Sequence, residues 1–128
     1  MQLTTPLYAG ILALIFIALS MRVVNSRHRE KVSLGDGDNH MLNRQIRVHG
    51  NFAEYTPMAL LLMLMAELQG LPVVLLHVLG IVLVAGRLFH ACSIAGERTR
   101  FGARKTGMLL TFFAVAAAGI ANIGLALF

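Results

Sequence analysis

The chain has 128 residues, 57% of them hydrophobic and 13% charged, with a mean hydropathy of +0.73 and a net charge of +5. A soluble domain of this length carries about a quarter charged residues, so the composition is that of an integral membrane protein. One cysteine, Cys92, excludes an intramolecular disulfide and a thiolate metal cluster, and the basic residues flank apolar runs, which points to membrane topology instead of nucleic acid.

Four apolar segments follow in chain order, each near the ~20 residues that a spanning helix needs. The first runs from about Leu7 to Val24, with Thr4 or Thr5 as the expected N-cap and Pro6 in the first turn. Its positive charges come after the apolar stretch, the reverse of a secretory signal. The inner loop that follows, "REKVSLGDGDNH", reads as a turn built on Gly and Asp, because a calcium loop would need further ligand positions and a closing glutamate.

The second segment, Asn51 to Leu68, is preceded by a polar turn, "NRQIRVHG". At about 100° per residue, Arg44, Arg47, Asn51 and Glu54 fall within roughly 80° of one helix face. The third segment, Leu71 to about Ile94, has Pro72 near its start and places Arg87 and His90 three residues apart on one face. Arg87 lies about two turns before the polar end at Gly96, at a depth where an arginine needs a carboxylate or must snorkel. Glu54, about three turns inside its own helix, is the acid at comparable depth, so an Arg87–Glu54 ion pair is the expected structural arrangement. The fourth segment, Gly107 to Phe128, carries no charge; Ala114, Ala118, Gly119 and Ala121 suit close helix contact.

All eleven basic residues lie in two clusters, Arg22 to Arg47 and Arg87 to Lys105. The positive-inside rule places both connections in the cytoplasm and both termini outside, giving an up-and-down bundle of four transmembrane helices in a single domain, 1–128. Between the inner loops the chain gathers cations, hydrogen-bonding groups and one deeper carboxylate. That inventory suits a small, mainly anionic ligand with one amino group: guanidinium forks take carboxylates, Asn51 donates and accepts, and Glu54 receives either an ammonium or Arg87. No Ser-His-Asp order, HExxH, Walker loop or GxGxxG is present, which leaves covalent hydrolysis, zinc chemistry and nucleotide binding without support. Cys92 and His77 read as packing residues, His28 and His40 as solvated loop residues, and Met58, Met63 and Met65 as lipid-facing or core filler.

"RQIRVHGNFAEYTP" resembles the R-x-x-R-x-x-x-N-x-x-E-Y-x-P signature of the membrane-associated proteins in eicosanoid and glutathione metabolism, the MAPEG family, and "VSLGDGDN" with the short loops looks most like its prokaryotic branch. The resemblance implies a homotrimer in a bacterial inner membrane that binds glutathione as cosubstrate, without a metal, between subunits near the cytoplasmic face. Carried over by position, Arg47, Asn51, Glu54 and Tyr55 match glutathione contacts, Arg22 resembles a residue that meets a glutathione carboxylate, and His90 occupies a binding position in helix 3, beside Arg87. Ile94 departs from a tyrosine found in several members, and Gly50 from a larger residue. Arg104 best matches the arginine that stabilises the glutathione thiolate, with Arg100 as the alternative. The implied activity is a glutathione transferase or peroxidase acting in detoxification on apolar electrophiles or lipid hydroperoxides. The alternatives are a non-catalytic binder of a lipid or partner, and a small multidrug exporter, which would need an acid in helix 1 that this chain lacks.

Overall fold

The computed structural model describes residues 3–94 and 100–128. Four helices follow one another: α1, Thr5–Glu30; α2, His40–Leu68; α3, Val73–Cys92; and α4, Phe101–Leu127. α1, α3 and α4 are long and apolar enough to cross a membrane. α2 has the length but carries Arg44, Arg47, Glu54 and Glu67 along it, so its continuous apolar stretch is shorter. Gly96 and Arg98, read as the polar end of the third segment and part of the second basic cluster, lie outside the described residues.

Cross-helix bonds fix an alternating up-and-down order. The start of α1 meets the end of α2 through Glu67, and the start of α3 through a 2.7 Å bond between the Tyr8 hydroxyl and His77 Nδ1. The end of α3 meets the start of α4 at Arg87 and Thr111. α2 touches all three other helices, and α3 with α4 is the most extensive pairing. The core runs along α2 as Val48, Phe52, Ala59 and Met63, met by Leu12 and Leu19 from α1, Leu79 and Leu83 from α3, and Ala114 and Ala118 from α4.

Helix ends depart from the apolar segments for local reasons. α2 begins eleven residues before Asn51, where Asn39 Oδ1 accepts the Leu42 N–H at 2.9 Å, so the "NRQIRVHG" stretch is helix and not a turn. Burial of Leu42 and Val48 on the same side as Phe52 holds that polar extension in place. α1 runs on to Glu30 and ends with Lys31 in the left-handed conformation (φ 56°); Arg27, His28 and Arg29 in its last turn suit the carbonyl end of the helix dipole. Thr4 occupies the N-cap position of α1 but caps nothing with its side chain. The Glu67 carboxylate does that work from α2, accepting the backbone N–H groups of Thr4 and, at 2.8 Å, Thr5. In the loop between α1 and α2, Asn43's amide beside Asp36, with the Asp38 N–H, holds the Asp36 carboxyl below the usual carboxylate range. At the turn between α2 and α3, Gly70 adopts φ +93°, and the Leu71 N–H reaches back to the Ala66 carbonyl at 3.0 Å.

Candidate functional site

The site is built where α3 and α4 come closest. Gly107 lies directly against α3: a Cβ there would stand 2.6 Å from the His90 nitrogen and 2.7 Å from the Gly86 oxygen. That approach sets Thr111, one turn further along α4, against Arg87. Thr111 Oγ1 gives its proton to the Gly107 carbonyl (2.8 Å) and uses its lone pairs to accept from Arg87 Nε (3.0 Å) and Nη2 (2.6 Å). Arg87 Nη1 donates to Asn51 Oδ1 on α2 at 2.9 Å, and Nη2 lies 3.6 Å from the Met108 sulfur. Arg87 is 1% exposed, so one guanidinium ties three helices together from the inside.

The expected Arg87–Glu54 ion pair does not form. Asn51, almost one turn earlier on α2, reaches the guanidinium instead, while Glu54 is exposed on the surface of the chain. With its oxygen committed to Arg87, Asn51 is left with its amide NH2 as the group to offer a ligand. His90 is buried; its carbonyl accepts from Ser93 Oγ at 2.7 Å, and its Nε2 has no hydrogen-bond partner. Tyr55 is half-buried with its ring against Phe112, centroids 5.5 Å apart.

The remaining residues singled out in the sequence are not gathered within one chain. Arg22, Arg47, Glu54, Arg100 and Arg104 are all exposed. On α2 their arrangement has a pattern. Arg47, Asn51, Glu54, Met58, Leu61, Met65 and Leu68 alternate four and three residues apart, and all but the half-buried Asn51 are exposed. This is the spacing of a helix-packing seam, polar at its N-terminal end and apolar beyond, with no helix among the described residues covering it.

Three features escaped the sequence reading. Thr111, in a segment read only as apolar, is Arg87's main partner; a hydroxyl in the charge-free stretch from Gly107 to Phe128 was its one signal. Arg27, not Arg22, lines a cavity of about 480 Å³ with His28 and Lys31 at the C-terminal end of α1, and its Nη1 is buried without a partner. His49 stacks on Phe16 (centroids 4.8 Å apart) and lies 2.9 Å from Ser20 Oγ. Because that hydroxyl donates to the Phe16 carbonyl, His49 Nε2 is the donor to Ser20. Cys92, expected to be packed away, is exposed in a surface cavity it shares with Leu88, Phe89 and Arg100 at the end of α3.

The model of the MAPEG family matches residues 5–124. The chain is 38% identical over 121 residues to inner membrane protein YecN of Escherichia coli strain K12, a match covering 94% of this chain and 91% of the relative. The protein of the same name from Escherichia coli O6:H1, strain CFT073, matches to the same extent.

Proposed function

The chain belongs to the MAPEG family, and from that premise we propose that it is a glutathione-dependent transferase or peroxidase of a bacterial inner membrane, with its site toward the cytoplasm. The observation that carries this reading is the α2 face on which Arg47, Asn51 and Glu54 stand open, braced from behind by the buried Arg87. Glutathione has two carboxylates, an ammonium and a thiol. Arg47 and Arg22 or Arg27 suit the carboxylates, the Asn51 amide donates a further bond, and Glu54, free of Arg87, suits the ammonium. Tyr55 follows Glu54 on α2, and His90 is buried one turn from Arg87 on α3.

A monomer would leave Arg47 and Glu54 on a surface that otherwise faces lipid, at a cost no membrane helix bears without cover. The seam on α2 supplies the remedy: a neighbouring copy packs on Met58, Leu61, Met65 and Leu68 and converts the polar inner end into a cleft between subunits. The expected assembly is a homotrimer. Cross-linking in mild detergent should therefore climb through dimer to trimer and stop; a ladder that ended at dimer would count against this assembly.

The chemistry asks little of the chain beyond charge. A free thiol with a pKa of ~8.5 is mostly protonated at neutral pH, and the thiolate is the nucleophile. A guanidinium within ~4–6 Å lowers such a pKa by about one to three units, and it acts electrostatically because arginine itself stays protonated. Arg104 is assigned this role, with Arg100 as the alternative. The thiolate sulfur then forms a C–S bond to an apolar electrophile, either displacing a leaving group such as halide, which departs as the anion, or adding to an activated double bond, whose neighbouring carbon takes up a proton from water. With a hydroperoxide, two glutathiones are oxidised to the disulfide while the hydroperoxide is reduced to alcohol and water.

Arg104→Ala provides the test. The bound thiol's pKa should rise by about one unit, a loss of roughly 1.4 kcal/mol in preference for the anion. Turnover of a model electrophile at pH 7 should fall by up to about tenfold, and the deficit should shrink as the pH passes the raised pKa. Glutathione affinity at low pH should be nearly unchanged. If Arg100→Ala shows this pH-dependent loss instead, the role moves to Arg100; if neither variant alters the pH profile, arginine activation is wrong and a non-catalytic binding protein becomes the better reading.

A further inference from the structure

The apolar run of α1 ends at Val24, yet the helix continues to Glu30. Val24, Arg27, His28 and Lys31 share the cavity of about 480 Å³ at this end with Val32 and Ser33. Arg27 and Lys31 bring two permanent charges. Neither has an acidic partner among the described residues, where the one ion pair joins Arg29 to Glu30. Asp36 is near enough to feel Arg27, but its oxygens are taken by the Asn43 amide and the Asp38 N–H. His28 is tied to the helix by its Nδ1–H, which donates to the Val24 carbonyl at 3.1 Å. The carbonyls of Arg27 and His28, which would repel an anion, are already spent on the Lys31 and Val32 N–H groups. Apolar surface adjoins these charges: Val24 is 40% exposed, and Leu34, two residues beyond Val32, is 88% exposed. From Val24 to Lys31 the chain climbs about 10 Å, slightly more than the ~5–8 Å headgroup layer on one side of a bilayer.

We infer that this cavity binds the headgroup of an anionic phospholipid, with Arg27 and Lys31 on the phosphodiester and Val24 and Leu34 along the first methylenes of the chains. A soluble phosphate gains nothing from the uncovered apolar side chains, and a zwitterionic lipid brings an ammonium that cancels the attraction. The site is separate from the face assigned to glutathione. Arg22 lies about 140° around α1 from Arg27. Arg47, Asn51 and Glu54 lie about 140° or more around α2 from His49, which meets α1 at Ser20. Arg27 therefore goes to the lipid, and Arg22 remains for the glutathione carboxylate.

The full chain in a neutral detergent, titrated with dioleoylphosphatidylglycerol and read by native mass spectrometry for retained lipid, tests this without glutathione. Affinity should exceed that for dioleoylphosphatidylcholine by roughly thirtyfold, about fivefold from each of the two cations. Arg27→Gln and Lys31→Gln should each lose about fivefold of that preference, and Arg27→Lys, which keeps the charge, should retain most of it. Lys31 is exposed at the helix end, so its variant decides the matter even where Arg27→Gln fails to fold. Arg29→Gln removes the same charge without touching the cavity lining and should leave the preference intact. Glycerol 3-phosphate, which carries the phosphate without the chains, should not displace the lipid. Equal affinity for the two lipids, or a loss in Arg29→Gln as large as in the cavity variants, would overturn the proposal. Displacement by glycerol 3-phosphate would overturn it in favour of a soluble phosphate ester, and displacement by glutathione would return Arg27 to the glutathione carboxylate. Failure of glutathione to bind would leave a positive lipid result standing, so the two readings fall separately.

Discussion

Gly107→Ala is expected to destabilise the protein by about 3 kcal/mol or more, at the top of the range for overpacked positions. The added methyl meets backbone, not a side chain that could swing aside: the His90 nitrogen at 2.6 Å and the Gly86 oxygen at 2.7 Å. Relief requires α3 and α4 to part, and their separation draws Thr111 away from Arg87. Thermal unfolding in detergent, followed by helical circular dichroism, gives the measure. Gly102→Ala is the control, since nothing lies within 4 Å of its Cβ position and alanine is the better helix former. Equal melting temperatures for the two variants would mean that the helices do not meet as described.

Thr111→Val should cost about 3 kcal/mol although it hardly changes shape. It removes both bonds that Thr111 accepts from Arg87, and hydrogen bonds to a charged group are worth roughly 1.5–3 kcal/mol each, while a buried charge left without compensation costs about 3–5 kcal/mol. Arg87→Met removes the charge along with its needs, and apolar replacements of buried ionic groups are often neutral. The double variant should accordingly be more stable than Thr111→Val alone. Its glutathione affinity should still fall, because Asn51 loses the bond that orients its amide. A Thr111→Val protein as stable as the parent would contradict the account of Arg87 as a charge held by neutral partners.

The sequence made the four helices legible because lipid imposes length and hydropathy on each, and Arg87 legible because an arginine inside an apolar run has to be satisfied. It did not reveal by whom. Glu54 looked the obvious partner by charge and depth, yet Asn51 and Thr111 take that place, since angular position around α2 and the Gly107 contact decide who reaches. Glu67, near the end of α2, caps a different helix, the start of α1. Such pairings depend on how helices lean together, which periodicity within one helix does not encode. The polar half of α2 was hidden for a related reason: apolar runs mark where a helix enters lipid, whereas Leu42 and Val48 hold the helix beyond it. The α2 seam, by contrast, could have been read from spacing alone once Arg47, Asn51 and Glu54 were continued through Met58, Leu61, Met65 and Leu68.

Titration of the purified protein with glutathione at neutral pH, followed by thiolate absorbance, addresses the central claim most directly. The account predicts a saturable thiolate signal, with affinity roughly tenfold weaker in Glu54→Ala, equivalent to ~1.4 kcal/mol, and a much smaller signal at saturation in Arg104→Ala or Arg100→Ala. A protein that shows no saturable signal, or whose signal is indifferent to Glu54 and to both arginines, would contradict it.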